Sequence, residues 1–485
     1  MQRIPGKDAI FLWSETPTTH MTIGFAGVFD PSTIPGGVEG PGDVYDRFVR
    51  LLEDRLHLVP KFRQRVMNVP FGIGNPYFVE DPTFDLGYHV RRIAMPEPGD
   101  KRLLEEFVAR MMSRPLDMTK PLWEVYVVEG VEGDKWAYVA KAHHVLVDGV
   151  GGNEMLVQLL DLEPTPREVE APAEAWDPDP LPSDLDLLRT AVGGGVRKPL
   201  HLVDTVRRTA GVAIDFAKWG IGRADDDPGL KVLGPRTFLN GPIGPHRQVA
   251  LGKFSLDDVK YVKGTFGCTV NDVILAITGR GLRHFVEAHG QTTNKGMIAA
   301  VPISIRDKGD KGFENKVSGM TVPMHDDVED VAERLRRISL ATKPAKEQLG
   351  AVAAHLLQDW SEYAPPAVAA QAIRFYTRAG LARRHPPIAN VTLSNVPGPP
   401  FPLYLAGSQM KSMYPIGPVI HNQRVNITVV SYMDTMFLGI AADRDDVPPI
   451  GELVDHIVDG LKELHQAAQD AGGPKPKDSD ADANA

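Results

Sequence analysis

His143 and His144 are adjacent, and Asp148-Gly149 begins four residues after the second of them. These are the residues whose types and spacing could do chemistry. An imidazole is the side-chain base that takes up a proton near neutral pH. An apolar, strand-like run leads into the pair, so a strand that ends here would hold an imidazole at the mouth of a cleft. Alternation along that strand puts His144 on the face of Tyr138, Ala140 and Ala142, opposite His143. The pair therefore divides into one catalytic and one structural residue. Adjacent histidines on opposite faces chelate a metal poorly, and no HExxH or cysteine cluster accompanies them, so no metal site is expected. A serine hydrolase would need a G-x-S-x-G elbow, which is missing. Cys268, at a helix start in an apolar turn, reads as a core residue, with a Cys–His nucleophile as the alternative. The favoured chemistry is a histidine acting on an external hydroxyl or amine, without a covalent enzyme intermediate.

The elements that must position the pair follow from periodicity. Thr22–Asp30 reads as a strand and 43–57 as a helix with Val44, Phe48, Leu51, Leu52 and Leu56 at helical spacing. Short strands are expected around Tyr77-Phe-Val79 and Tyr88-His-Val90, and a helix over 103–112. Two prolines bracket a turn, Pro115 to Pro121, that aims Asp117 and Trp123. Strands 123–128 and 135–142 then run into the histidines, and a helix is expected over 153–162. From 163 to 182 the chain is a Pro/Glu/Asp/Ala-rich linker. Helices over 184–222 carry interspersed basic residues; they read as connectors packed on the body, or as an amphipathic lipid-surface contact. The second half should open on strand 248–254 and helix 255–266, followed by a long helix from Gly267 with Val270, Ile274, Ile277, Gly281 and Phe285 on its apolar face. Strands 297–305, 316–324 and 389–396, a hairpin over 424–441 and a helix over 450–469 complete it. Each half thus alternates strands and helices, as a mixed sheet covered by helices does.

Composition bounds the function. At 485 residues the chain is long enough for two ordinary domains. Its 53 basic and 63 acidic residues leave a net charge of -10, which speaks against a nucleic-acid binder. One cysteine allows no internal disulfide and fits a reducing compartment. Asp8, Glu15 and His20 interrupt the N-terminal segment where a secretory signal would need an apolar run. No apolar run reaches the roughly 18 residues of a membrane span. A cytoplasmic protein with at most peripheral membrane or lipid-inclusion contact is expected.

His143-His144-x-x-x-Asp148-Gly149 resembles the HHxxxDG signature of acyl-CoA-dependent acyltransferases, a group that includes chloramphenicol acetyltransferase and peptide-synthetase condensation domains. Pro115-Leu-Asp-x-x-x-Pro-Leu-Trp123, Thr269-Val-Asn-Asp272, Val301-Pro-Ile-Ser-Ile-Arg306 and Ser394-Asn-Val-Pro-Gly-Pro399 are similar to motifs of one branch, the bacterial wax ester synthase/diacylglycerol acyltransferase family. Pro60-Lys-Phe-Arg-Gln-Arg65 and Phe84-Asp-Leu-Gly-Tyr-His-Val90 fit as well. The resemblance runs in order from about residue 5 to 468. It implies two chloramphenicol-acetyltransferase-like α/β domains with mixed sheets and a tunnel between them. The expected division is an N-terminal domain over 1–165, linker and connector helices over 166–245, a C-terminal domain over 246–470 and a disordered tail over 471–485.

By that resemblance the chain moves a long-chain acyl group from acyl-CoA, a co-substrate rather than a cofactor, to diacylglycerol. Fatty alcohol is the alternative acceptor, and a non-catalytic lipid-handling role the third reading. His144 is implied as general base. Asn271 is the candidate oxyanion donor, although its place at a helix start also fits a cap. Asp272 either fixes that local network or complements the helix dipole. His143, Asp148 and Gly149 shape the site, with Arg306 as the partner of Asp148. Ser394, Asn395, Pro397 and Gly398 form a substrate-binding tunnel wall or a purely structural turn. Arg374, Arg378, Arg383 and Arg384 are candidates for the CoA phosphates, or a solvated basic face.

Overall fold

The structure is a computed structural model that describes residues 1–146, 158–193, 233–304, 317–342, 371, 380 and 386–474. Asp148, Gly149, Arg306 and the four arginines 374, 378, 383 and 384 lie outside the described residues. So do most of the residues of the helices expected over 153–162 and 184–222. The first half runs β1 (Gln2–Arg3), α1 (Gly6–Trp13), β2 (Thr22–Asp30), α2 (Asp43–Arg55), β3 (Gln64–Met67), β4 (Tyr77–Glu80), α3 (Leu86–His89) and β5 (Val90–Ala94). Then come α4 (Lys101–Met112), β6 (Trp123–Val131), β7 (Lys135–His143) and α5 (Asp184–Gly193). The second half runs β8 (Arg247–Ser255), α6 (Leu256–Phe266), α7 (Val270–Ala288), β9 (Ile298–Ser304), β10 (Val317–Pro323) and the helix α8 over 331–342. It ends with β11 (Val391–Val396), β12 (Tyr404–Leu405), β13 (Ser408–Ile416), β14 (Val425–Tyr432), β15 (Thr435–Asp443) and α9 (Gly451–Asp470).

The strands form two mixed six-stranded sheets, in the orders β12-β13-β2-β7-β6-β5 and β10-β9-β11-β14-β15-β8. β7, which ends in the histidines, pairs antiparallel with β2 and β6. Trp136, Ala137, Tyr138 and Val139 on it are all buried, as a strand covered on both faces requires. The helices follow from their apolar spacing. α2 buries Val44, Phe48, Leu51 and Leu52, and α7 buries Ile274, Ile277, Gly281 and Phe285 against α9.

The strand expected at Tyr88-His-Val90 is corrected. Leu86–His89 is a single helical turn, capped by Asp85, whose carboxylate accepts from the Gly87 amide at 2.9 Å; the strand starts only at Val90. Asp85 reads equally well as loop or cap, so the pattern alone did not separate the two. That turn aims His89 at the protein interior. There its ring stacks on Trp123 at 4.5 Å, and Trp123 stacks in turn on Phe62 at 4.5 Å. The His89 Nδ1 meets the Trp123 carbonyl at 2.7 Å, and the Trp123 indole donates to the Phe62 carbonyl at 2.9 Å. Three of the separated motifs thus converge as one aromatic cluster under β6.

The halves are joined by exchange rather than by simple abutment. β12 and β13 come from the second half in sequence yet complete the first sheet, with β13 antiparallel to β2. Where β13 passes β15 the backbones touch, and a Cβ on Gly439 would lie 1.8 Å from the Pro415 carbonyl oxygen, so glycine is required there. On the other side α4 covers the edge strand β8. Its Lys101 ammonium donates to the Leu251 carbonyl at 2.6 Å, and its Glu105 carboxylate accepts from the Leu251 amide at 2.8 Å. An edge strand's free backbone groups are thereby satisfied by side chains. In the described part of the linker, Trp176 packs under the Arg63 guanidinium, and α5 buries Leu187 against Val69, Tyr77 and Val79. No described helix is long and apolar enough to cross a membrane.

Candidate active site

β7 delivers His143 and His144 into different surroundings. His143 is fully buried. Its amide donates to the Leu122 carbonyl at 2.9 Å, so the proline-bracketed turn directly supports the histidine strand. Its Nδ1 accepts from the Val145 amide at 3.0 Å. A neutral ring that accepts at Nδ1 carries its proton on Nε2. Nε2 points its proton towards the Glu15 carboxylate, 3.2 Å away, and this contact helps to hold the carboxylate in its charged form. His143 is a keystone of the turn.

Glu15, absent from the sequence-derived site, organises this region. Its carboxylate also accepts from the Met21 amide at 2.7 Å, and the Met21 carbonyl accepts from the His144 amide at 2.8 Å. The loop from Glu15 to Met21 therefore clasps both histidines. Burial acts to raise the Glu15 carboxyl, but the contacts from His143 and His20 and the Met21 amide outweigh it and hold the group at about 2. His20, buried in the same loop, lies 4.0 Å from Glu15. Nothing in the spacing marks Glu15 or His20, because Glu15 meets His143 only once β2 pairs with β7, and His20 lies on the far side of Glu15's contacts.

His144 keeps some solvent contact and stacks on Phe11 of α1, with ring centroids 4.0 Å apart and 17° between the planes. Burial, and secondarily the neighbouring His143, push its imidazole down to about 4. It is therefore neutral at physiological pH, with a nitrogen lone pair ready to accept a proton. Among the described residues its buried Nδ1 has no hydrogen-bond partner, and neither do the ring nitrogens of His20 or the hydroxyls of Thr19 and Thr22. Orphaned buried polar atoms are rare, and their concentration around the histidine pair marks a place where function outweighs local satisfaction.

Asn271 and Asp272 open α7 in the second half. The helix cap is Thr269, not Asn271. The Thr269 hydroxyl accepts from the Asp272 amide at 3.2 Å, and the Asp272 carboxylate accepts from the Thr269 amide at 2.9 Å, a reciprocal capping box. The other Asp272 oxygen accepts from the Thr342 hydroxyl at 2.8 Å. Asn271 sits in the first turn, half-buried, with no side-chain hydrogen bond among the described residues, so its amide is not spent on capping. No hydrogen bond links Asn271 to the histidines. Ser394 and Asn395 lie on β11, against which α7 packs, opposite Thr428 and Val429 of β14. Beyond them the Gly398 amide donates to the Ser431 hydroxyl at 3.0 Å. A Cβ there would come within 2.0 Å of the Ser431 carbonyl, so Gly398 is required by this close turn, while Pro397 is exposed. Cys268 is buried in the second core, and burial first of all raises its thiol to about 11, which keeps it protonated and unreactive.

Comparison with known proteins covers nearly the whole chain. Residues 4–274 match the wax ester synthase/diacylglycerol acyltransferase catalytic domain, and residues 313–465 the C-terminal domain of the same family. A Mycobacterium tuberculosis H37Rv protein, provisionally named a diacylglycerol O-acyltransferase, is 34% identical over 477 residues, covering 97% of this chain and 91% of the relative. A second of the same provisional name is 32% identical over 501 residues, covering 97% and 98%. The wax ester synthase/diacylglycerol acyltransferase of Marinobacter aquaeolei VT8 superposes with a TM-score of 0.68 at 26% identity, covering 97% of this chain and all of that one. A starter condensation domain of rhizomide synthetase, solved with C8-CoA, shares the fold with a TM-score of 0.54 at 13% identity, over 97% and 95% of the two chains.

Proposed function

Because this chain belongs to the wax ester synthase/diacylglycerol acyltransferase family and is an acyltransferase, we propose that it transfers a long-chain acyl group from acyl-CoA to the hydroxyl of diacylglycerol, with His144 as general base. The observation that carries this reading is the neutral, partly accessible imidazole at the end of β7, surrounded by polar atoms that have no partner among the described residues. With Nδ1 enclosed, Nε2 takes the acceptor's proton as its oxygen attacks the thioester carbonyl. The tetrahedral oxyanion then collapses, the C–S bond breaks, and the departing thiolate takes the proton back from the imidazolium. Burial that makes His144 a weak holder of protons favours this second step.

Asn271, whose amide is free of capping, is assigned as the oxyanion donor. Its replacement by alanine should lower kcat by about 10²–10³-fold. An effect confined to KM would remove it from the transition state. The names of the relatives favour diacylglycerol as acceptor, and the Marinobacter enzyme's name keeps a fatty alcohol in play. Purified protein incubated with labelled palmitoyl-CoA and either diolein or hexadecanol separates the two. Triacylglycerol is the expected product, and ester with neither acceptor would sink the proposal. The pH profile is a further check. Since His144 is depressed below the ordinary 6.5 towards about 4, the acidic limb of kcat/KM should fall below pH 6.5. A limb at or above 6.5 would contradict a desolvated base.

A further inference from the structure

Between α4 and the start of β8, where the two halves meet, lies an open cleft of about 690 Å³ lined by five arginines, 102, 110, 114, 247 and 444, and two glutamates. In a chain of net charge -10 this is a local reversal of sign. The acidic lining is already engaged. Glu106 is shared by Arg102 and Arg110, and Glu105 holds the Leu251 amide. Arg247 is spent structurally, on the carbonyls of Gly244, His246 and Thr18. Arg114 has no ion-pair or hydrogen-bond partner for its guanidinium among the described residues, and exposed Arg444 approaches only Asp445, at 3.9 Å. Asp445 is itself paired with His246 at 3.1 Å. The cleft thus carries guanidinium groups in excess of its carboxylates, on two separate walls. That arrangement suits an anion with more than one phosphate, because the planar guanidinium fork matches phosphate oxygens.

Hydrogen bonds tie the cleft's lining to the strand and loop that hold the histidine pair. Buried Lys141, two residues before His143 on β7, donates to the carbonyls of Met111 and Arg114 at the end of α4. Arg247 ties the opposite wall to Thr18, in the loop that carries Glu15. We propose that this arginine cleft binds the phosphate-bearing nucleotide end of the acyl-CoA donor, with Arg114, Arg110 and Arg444 as its contacts. The assignment rests on acyl-CoA being the donor.

The test is calorimetric titration of the full chain with CoA and 3′-dephospho-CoA at low and high salt, without turnover. Arg114→Ala and Arg444→Ala should each weaken CoA about tenfold, Arg114→Lys less, and the loss should shrink as salt screens the contacts. Turnover of palmitoyl-pantetheine, which has no nucleotide, should be unchanged in the variants. Unaltered CoA affinity in both alanine variants would overturn the cleft even if wild type forms ester. So would wild type that binds no CoA, or variants that lose phosphatidylglycerol vesicles but keep CoA, since the phosphate would then belong to a lipid headgroup. Absence of ester with every acceptor, beside arginine-dependent CoA binding, would instead overturn the acceptor chemistry and leave the cleft standing.

Discussion

Replacing His144 with alanine should lower kcat for triacylglycerol formation by about 10²–10⁴-fold, the contribution of a positioned general base. The fold should survive. The ring lies at the end of β7 with some solvent contact, and what it gives up is its stacking on Phe11, worth about 0.5–1.5 kcal/mol. Its backbone amide, which holds the Met21 carbonyl, remains. His143→Ala should behave differently, because that ring is fully buried and holds the Val145 amide and the Glu15 carboxylate. There the loss should appear first in thermal stability. The comparison is a rate assay with labelled palmitoyl-CoA beside a melting curve for each variant. Ester formation at the wild-type rate by the His144 variant would remove the residue from the chemistry.

Glu15→Ala should cost about 3 kcal/mol of stability at pH 7. The carboxyl falls from its usual 4.5 to about 2 in the folded protein, and each unit is worth 1.36 kcal/mol. Only 19% of the side chain is exposed, so solvent screening removes little of this. The sign follows from the direction of the shift. A carboxylate favoured in the folded state contributes fully above pH 4.5, and its contribution disappears as pH falls from there towards 2. Urea denaturation of both proteins at pH 7 and pH 3 measures it. The gap between them should narrow at the lower pH, and an equal gap at both would show that the carboxylate charge is not what stabilises the loop. Because the same loop holds the His144 amide through Met21, the variant should also be slower than wild type at pH 7.

The prolines, glycines and polar pairs of the separated motifs acquire their reasons only in three dimensions. Trp123, His89 and Phe62 come from three of them and form one stack. Asp272 serves α7 as the far side of a capping box and holds α8 through Thr342. Asn271 is spared the capping role because Thr269, two residues earlier, performs it.

The order of residues by itself determined the local elements, because apolar spacing and turn chemistry act over a few positions. β2, α2, α4, β6, β7, β8, α7 and α9 fall where periodicity places them, and the histidine doublet points to the broad acyltransferase group, which the other motifs narrow to one family. The helical turn at Leu86–His89 escaped, since a single turn has too few residues to show a period. Only the tertiary structure decided the rest. It carried β12 and β13 across to the first sheet, brought Glu15 against His143, and set the arginines of α4 opposite Arg444. Those contacts join residues hundreds of positions apart, or lie across a strand pairing whose register no local pattern encodes. Side-chain type records what a residue can do, and the pairing of distant strands decides what it meets.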